Sequence, residues 1–205
     1  MNWKTCSSGV LLAAALSMGT LIPVAQAGNS AAAAAETTAI PLSAAEIEGL
    51  VFMREEEKLA RDVYARLYEL WQDGTFYNIT LSETRHTNQI KRLLETYGLP
   101  DPAAEDVPGV FQDPVLQQLY TDLVAKGSVT LFEALRVGGL IEEKDIGDIQ
   151  AKMEVATHAD ILLVYANLMD GSKNHLTAFV TRIEEMGIAY LPQILSQEEI
   201  DAIVN

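Results

Sequence analysis

From Ser43 to the end of the chain, apolar residues recur at spacings of three and four, and no run of β-branched residues alternates with polar ones. That pattern restricts the domain to packed α-helices, because a strand exposes every second residue and a helix every third or fourth. Gly and Pro clusters divide the pattern. Ser43-Ala-Ala-Glu46 is a capping box with Leu42 and Ile47 placed as a hydrophobic staple, so a first helix is expected from there to about Trp71. Gly74, Phe76-Tyr77 and Asn78 read as a turn, and a second helix follows from about Thr80 to Tyr97, stopped by Gly98, Pro100 and Pro102.

Residues 101–112 have no periodicity and read as a surface connection. A short helix over 114–126 comes next, then a long one from Ser128 to about Glu154 whose weak point is Gly138-Gly139. Thr157-His-Ala-Asp160 is expected to cap a last long helix reaching Met186, and Ser196-Gln-Glu-Glu199 a short one at the C-terminus. Four long helices and two short ones suit an up-down bundle with one extended crossover, an all-α fold. Residues 41–205 form this domain.

Residues 1–27 combine Lys4, an apolar run from Val10 to Leu16 and Ala25-Gln26-Ala27, which is the layout of a cleaved signal peptide. The chain is therefore expected to be exported, to the periplasm or beyond. Residues 28–40 are Ala-rich without large side chains until Ile40 and read as a tether. Cleavage removes Cys6, the single cysteine, so the mature chain has neither disulfide nor thiolate ligand, and a metal would have to sit on nitrogen and oxygen. The net charge is −15, and Lys4 is the only charged residue in the leader. Such a surface disfavours nucleic acid and anionic lipid, leaving metal ions as the expected partners, with homo-oligomers allowed and no membrane after cleavage.

Polar residues interrupt the apolar stripes at matched places. Glu56 falls among Phe52, Leu59, Val63 and Leu67, with Glu55 as its competitor. Glu83 and His86 share a face with Ile79, Ile90 and Leu93; Glu142 lies between Leu135 and Ile149; His175 lies between Leu168 and Phe179. Buried unpaired carboxylates cost several kcal/mol each, and a cation would offset that. A Glu-x-x-His pair places a carboxylate and an imidazole on one helical face, and such oxygen-plus-imidazole sets suit iron, manganese or zinc, the bundle precedent favouring iron or manganese. Other readings stand beside this one. Thr80-Leu-Ser-Glu83 also fits a capping box, His175 a satisfied core histidine, and Glu142 a partner for Lys144 or Arg61. Arg54-Glu-Glu-Glu-Lys58 also fits a solvated face, and the tyrosines ordinary core or rim positions.

Four ordered motifs carry a resemblance. Arg54-Glu-Glu-Glu-Lys-Leu-Ala-Arg-Asp-Val-Tyr64, Ser82-Glu-Thr-Arg-His86, Leu135-Arg-Val-Gly-Gly-Leu-Ile-Glu-Glu-Lys-Asp-Ile146 and Gly171-Ser-Lys-Asn-His-Leu-Thr-Ala-Phe179 resemble a ferritin-like, rubrerythrin-like family known only as a domain of unknown function. The resemblance implies a ferritin-like four-helix bundle that binds metal, with Glu56, Glu83, His86, Glu142 and His175 at the ligand positions. Glu56 and Glu142 would be bridging carboxylates, Glu83 and His86 a chelating pair, and His175 a terminal nitrogen ligand. One departure is Ser172, which stands where a second Glu-x-x-His would have its glutamate; Glu143, Asp145 or water would have to complete a two-metal set. The expected function is an iron or manganese redox protein acting on oxygen or peroxide, with a di-metal or mono-metal oxidoreductase activity. The alternatives are a metal-storage module, or an interaction domain whose polar core only fixes helix register.

Overall fold

A computed structural model describes residues 41–204, so residues 1–40, where a signal peptide and a tether are expected, and Asn205 lie outside the described residues. Within them the chain forms six helices and no strand: α1 (Ala44–Trp71), α2 (Gly74–Thr96), α3 (Pro114–Gly127), α4 (Leu131–Val155), α5 (Ala159–Glu185) and α6 (Gln197–Val204). None of them is long and apolar enough to cross a membrane.

The capping box at Ser43 is present, with Glu46 N donating to Ser43 Oγ at 3.2 Å and Ser43 N to Glu46 Oε2 at 2.8 Å. The box at Ser196 is present in the same form. The second helix starts earlier than the turn residues suggest. Gln72 takes the left-handed conformation at φ 52°, Asp73 caps the next helix by accepting from Thr75 N at 3.0 Å, and Gly74 is already helical. Burial of Phe76, whose ring centroid lies 6.3 Å from that of Tyr64 and 5.6 Å from that of Phe179, outweighs the local turn preference of Gly74 and Asn78. Thr80 is therefore inside the helix, where its Oγ1 donates to Phe76 O at 2.7 Å, and Thr80–Glu83 is no capping box.

Residue pairs give the directions of the helices. Along α1 and α2, Tyr64 meets Phe76, Glu57 meets His86 and Arg54 meets Thr87, so the two are antiparallel. Tyr64 with Glu142 and Phe52 with Lys152 make α1 and α4 antiparallel. Glu142 with His175 and Asp145 with Ser172 do the same for α4 and α5; Asp73 with Arg182, Glu83 with His175 and Tyr97 with Asp160 do so for α2 and α5. Each long helix thus touches two others in a closed cycle, with α1 and α5 running one way and α2 and α4 the other. Because α2 and α4 are parallel, residues 97–130 must travel the length of the core between them, and α3 packs on α1 and α4 along that path.

Arg54 to Lys58 are all buried rather than a solvated face, and most of this run holds the crossover. Arg54 donates to Asp101 Oδ1 at 3.0 Å, and Glu55 accepts from Asp113 N at 3.0 Å and from Gln112 N. Lys58 Nζ donates to Val107 O at 2.8 Å and to Asp62 at 2.6 Å, and Asp62 accepts in turn from Gly109 N at 2.9 Å. The charges remain in the interior because each meets opposite charge or backbone dipoles.

Two further glutamates work the same way. Glu46 uses its other oxygen to accept from Thr157 N at 2.8 Å and His158 N at 3.1 Å, so the start of α5 is held by α1 rather than by a box at Thr157. His158, the N-cap residue, makes no side-chain cap of its own. Glu143 accepts from Gln193 N, Ile194 N, Leu195 N and Tyr190 Oη, fastening the C-terminal segment to α4. Gly138 and Gly139 do not interrupt α4; they make room for the rings of Phe179 and Tyr190, which a Cβ at either position would strike.

Candidate metal centre

The four long helices each send chemistry-bearing side chains to one level of the core. On α1 the row Leu50, Met53, Glu57, Ala60, Tyr64 and Leu67 is buried throughout. α2 supplies Glu83 and His86, α4 supplies Glu142 and Asp145, and α5 supplies His175 with Ser172 one turn before it; all are buried. The spacing of three places each pair on one face of its helix.

Glu83 stands at the middle. Its Oε2 is hydrogen-bonded to His86 Nδ1 at 2.9 Å, and its Oε1 lies 2.7 Å from His175 Nδ1. The second contact lacks hydrogen-bond alignment, and His175 Nδ1 has no such partner among the described residues. Glu83, His86 and His175 each offer a ligand atom within 4.8 Å of the others. Glu142 Oε2 is 3.5 Å from His175 Nδ1, and Glu57 Oε2 is 3.3 Å from His86 Nδ1. The two imidazoles stack with centroids 5.4 Å apart.

Neighbours fix several of these groups. Tyr64 Oη donates to Glu142 Oε1 at 2.5 Å, and Ser172 Oγ donates to Asp145 Oδ2 and holds it. His86 packs against Gly171, where a Cβ would run into the ring. Three carboxylate oxygens at the centre have no hydrogen-bond partner among the described residues: Glu57 Oε1, Glu57 Oε2 and Asp145 Oδ1. Buried carboxylate oxygens of this kind are costly unless something else binds them.

The electrostatics carry the same strain. Burial, with Asp145 next, raises the Glu57 pKa well above the ordinary carboxylate value. Burial with Glu142 and Glu83 pushes Asp145 up to about 8. Burial also raises Glu142, against the pull of His175. For the imidazoles burial disfavours charge, yet Glu57 and Glu83 outweigh it and push His86 up to about 11, as Glu142 and Glu83 push His175 up to about 10. Glu83 is the opposite case, since the two imidazoles overcome its burial and hold it well below the usual range. Acids are therefore crowded beyond what two imidazolium ions neutralise, and a bound divalent cation would relieve this. The donor set fits such a group: two imidazole nitrogens facing a shared carboxylate, three further carboxylates, and no sulfur.

Of the residues expected from the sequence, the structure brings together Glu83, His86, Glu142 and His175. Glu56 is not among them. It lies on the neighbouring row of α1, where Phe52 meets Lys152, and the charged groups acting on it are Asp148, Asp145 and Lys144. Glu57 occupies the α1 position at the centre. The row spaced 50-53-57-60-64-67 was the signal for it, a second apolar stripe one residue away from the row that contains Glu56. Asp145, one turn beyond Glu142 on α4, accepts from Ser172 of α5, the residue at which the sequence departs from a second Glu-x-x-His. Glu55 and Glu143 belong to the backbone clamps described above. Lys144 pairs with Asp148, and Arg61 with Asp62 and Asp106. Tyr64, read from sequence as core or rim, is buried and joined to the centre.

Residues 46–205 match the family model described as Uncharacterized protein domain (DUF2202). The chain belongs to this family. It is 47% identical over 165 residues to the uncharacterized protein MJ0754 of Methanocaldococcus jannaschii, a match covering 80% of this chain and 89% of that protein. The crystal structure of the hypothetical protein MJ0754 from the same archaeon resembles the fold with a TM-score of 0.79 at 45% identity, covering 83% of this chain and 97% of that one. These DUF2202 relatives carry no named activity, so the chemistry must be argued from the side chains themselves.

Proposed function

We propose that this DUF2202 protein is an exported metal-binding protein of ferritin-like type, which holds iron or manganese at the centre and serves as a redox protein toward oxygen or peroxide. The observation that carries the reading is Glu83, which offers one oxygen to each of two buried imidazoles, while Glu57 Oε2 lies 3.3 Å from one of them and both Glu57 oxygens and Asp145 Oδ1 lack hydrogen-bond partners. The ferritin-like part is supported by the cycle of four long helices with one lengthwise crossover, and by a Glu-x-x-His pair on α2 facing carboxylates from α1 and α4. Export rests on the layout of residues 1–27.

Glu57, Glu83, His86, Glu142, Asp145 and His175 would hold the metal. Iron or manganese held there would supply one-electron redox chemistry. The chain's own residues orient and shelter that chemistry. Tyr64 keeps Glu142 turned inward, Ser172 keeps Asp145 in place, and Gly171 lets His86 sit against α5. Phe179, Phe76, Leu168 and Ile90 surround this level with buried apolar groups and exclude water.

Metal analysis of protein purified without chelator tests the reading. Near-stoichiometric iron or manganese is expected, and E83A/H86A should lose it while keeping its helix content. Metal retained by the double variant would remove the site assignment. Absence of metal from the parent protein, with no change in melting on adding ferrous or manganous ion, would remove the function. Consumption of oxygen or peroxide by the loaded protein then tells turnover from storage.

A further inference from the structure

The row of α1 beside Glu57 holds acids that the centre does not use. Glu56 is 5% exposed, and its Oε2 has no hydrogen-bond partner among the described residues. This sets it apart from Glu46, Glu55 and Glu143, the buried glutamates that each collect backbone amides. Glu56 instead faces more negative charge, from Asp148 and Asp145 on α4, with the Lys144 ammonium alongside. Asp145 and Asp148 are three residues apart and share a face, but they differ in depth. The Asp148 side chain is 23% exposed, whereas Asp145 is 6% exposed and has one oxygen, Oδ1, without a partner.

Asp148 is the outermost of these acids, while Glu56 and Asp145 are both buried; Phe52 against Lys152 sets the Glu56 row opposite Asp148, and the charges of Glu142 and Glu83 act on Asp145. Lys144, 17% exposed, pairs with Asp148 at the outer end. Glu56 and Asp145 each keep one buried oxygen without a hydrogen-bond partner, and like charges so placed repel one another. A divalent cation entering a closed core needs a succession of oxygen ligands, because each water it sheds must be replaced before the next is lost.

We propose that Asp148, Glu56 and Asp145 form an uptake path along which a divalent cation passes from solvent to the centre, with Lys144 closing the outer end by its pairing with Asp148. The path rests on the reading of the centre as a metal site. Only ligand exchange is involved: the cation takes the place of the ammonium on Asp148, then moves to Glu56 and to Asp145, which also belongs to the centre.

Adding cobaltous ion to the metal-free protein, and following the visible absorption of bound cobalt in a stopped-flow instrument, tests the path. E56Q keeps the shape of the buried side chain, and D148N changes a partly exposed one, so both retain the fold. Loading of either variant is expected to slow about tenfold while the final amount bound stays that of the parent, since a lined acidic path acts on the rate of arrival. K144M is expected to load faster. Parent rates in all three variants would overturn the path, as would an unchanged rate with less cobalt bound in E56Q, which would make Glu56 a resident ligand. Failure of the underlying reading looks different: the parent then binds no cobalt, or E83A/H86A binds as much as the parent.

Discussion

Two groups that touch the His86 ring, Glu57 and Gly171, define what single residues do in this protein. Glu57 carries two buried oxygens without hydrogen-bond partners, so it contributes to binding a cation at the expense of the metal-free fold. E57Q should therefore show opposite effects, with metal content falling while the melting temperature of the metal-free protein rises. Calorimetry together with metal analysis would check this, and a lower melting temperature of the metal-free variant would contradict the role given to Glu57. Gly171 leaves the space that the imidazole fills. G171A should push the ring off its position and weaken metal binding by about tenfold or more, as loss of a positioning contact does elsewhere. Titration of the metal-free variant with cobaltous ion measures the change, and affinity equal to the parent's would show that the ring has room to move.

At the level of the helices, three buried glutamates tie elements together through backbone amides. Glu46 is the clearest case, since one carboxylate closes the start of α1 and also holds the start of α5. Burial opposes its ionisation, but the donors from Thr157, His158 and Ser43 outweigh this and hold its pKa far below the ordinary carboxylate value of 4.5. A folded pKa below the unfolded one means that the stabilisation is present above about pH 4.5 and is lost as the pH falls below it. E46A should cost about 2 kcal/mol near neutral pH, because two helix starts lose their acceptor. E46Q should flatten the acid limb of stability against pH, measured by denaturant unfolding from pH 7 downward. An acid limb as steep as the parent's would assign the dependence to other carboxylates.

Over the whole molecule, the parallel run of α2 and α4 forces a connection along the length of the core, and in its irregular part, residues 97–113, only Ala103 and Phe111 are buried. Lys58 makes up for this with Asp62, two carbonyls of the crossover and the Phe111 ring, whose centroid lies 4.3 Å from Nζ. K58A would leave the buried Asp62 with Arg61 as its remaining cation and two crossover carbonyls without their donor, and should destabilise the fold by about 2 kcal/mol. It should also speed hydrogen exchange at the amides of Gly109, Gln112 and Asp113, which mass spectrometry of deuterated peptides would follow. Protection equal to the parent's at those amides would show that α3 alone secures the crossover.

Helix number and order, the lengthwise crossover and the caps at Ser43 and Ser196 were all legible in the sequence. So were Glu83, His86, Glu142 and His175 as inward groups, because periodicity and capping are local properties of the chain. What periodicity cannot do is choose between adjacent rows of one helix. Glu56 and Glu57 differ by about 100° of rotation, and α1 buries both rows because it has neighbours on several sides. Which row meets α2 and which meets α4 follows from how the helices are set against one another. The same holds for Asp145, whose carboxylate reaches Ser172 on another helix. It holds too for Arg54, Glu55 and Lys58, whose charges look suited to solvent until the crossover folds over them. The sequence by itself determined which segments are helical and which faces are buried, while only the tertiary structure decided what each buried charge meets, since a charge is paired or left unpaired by groups distant in the chain.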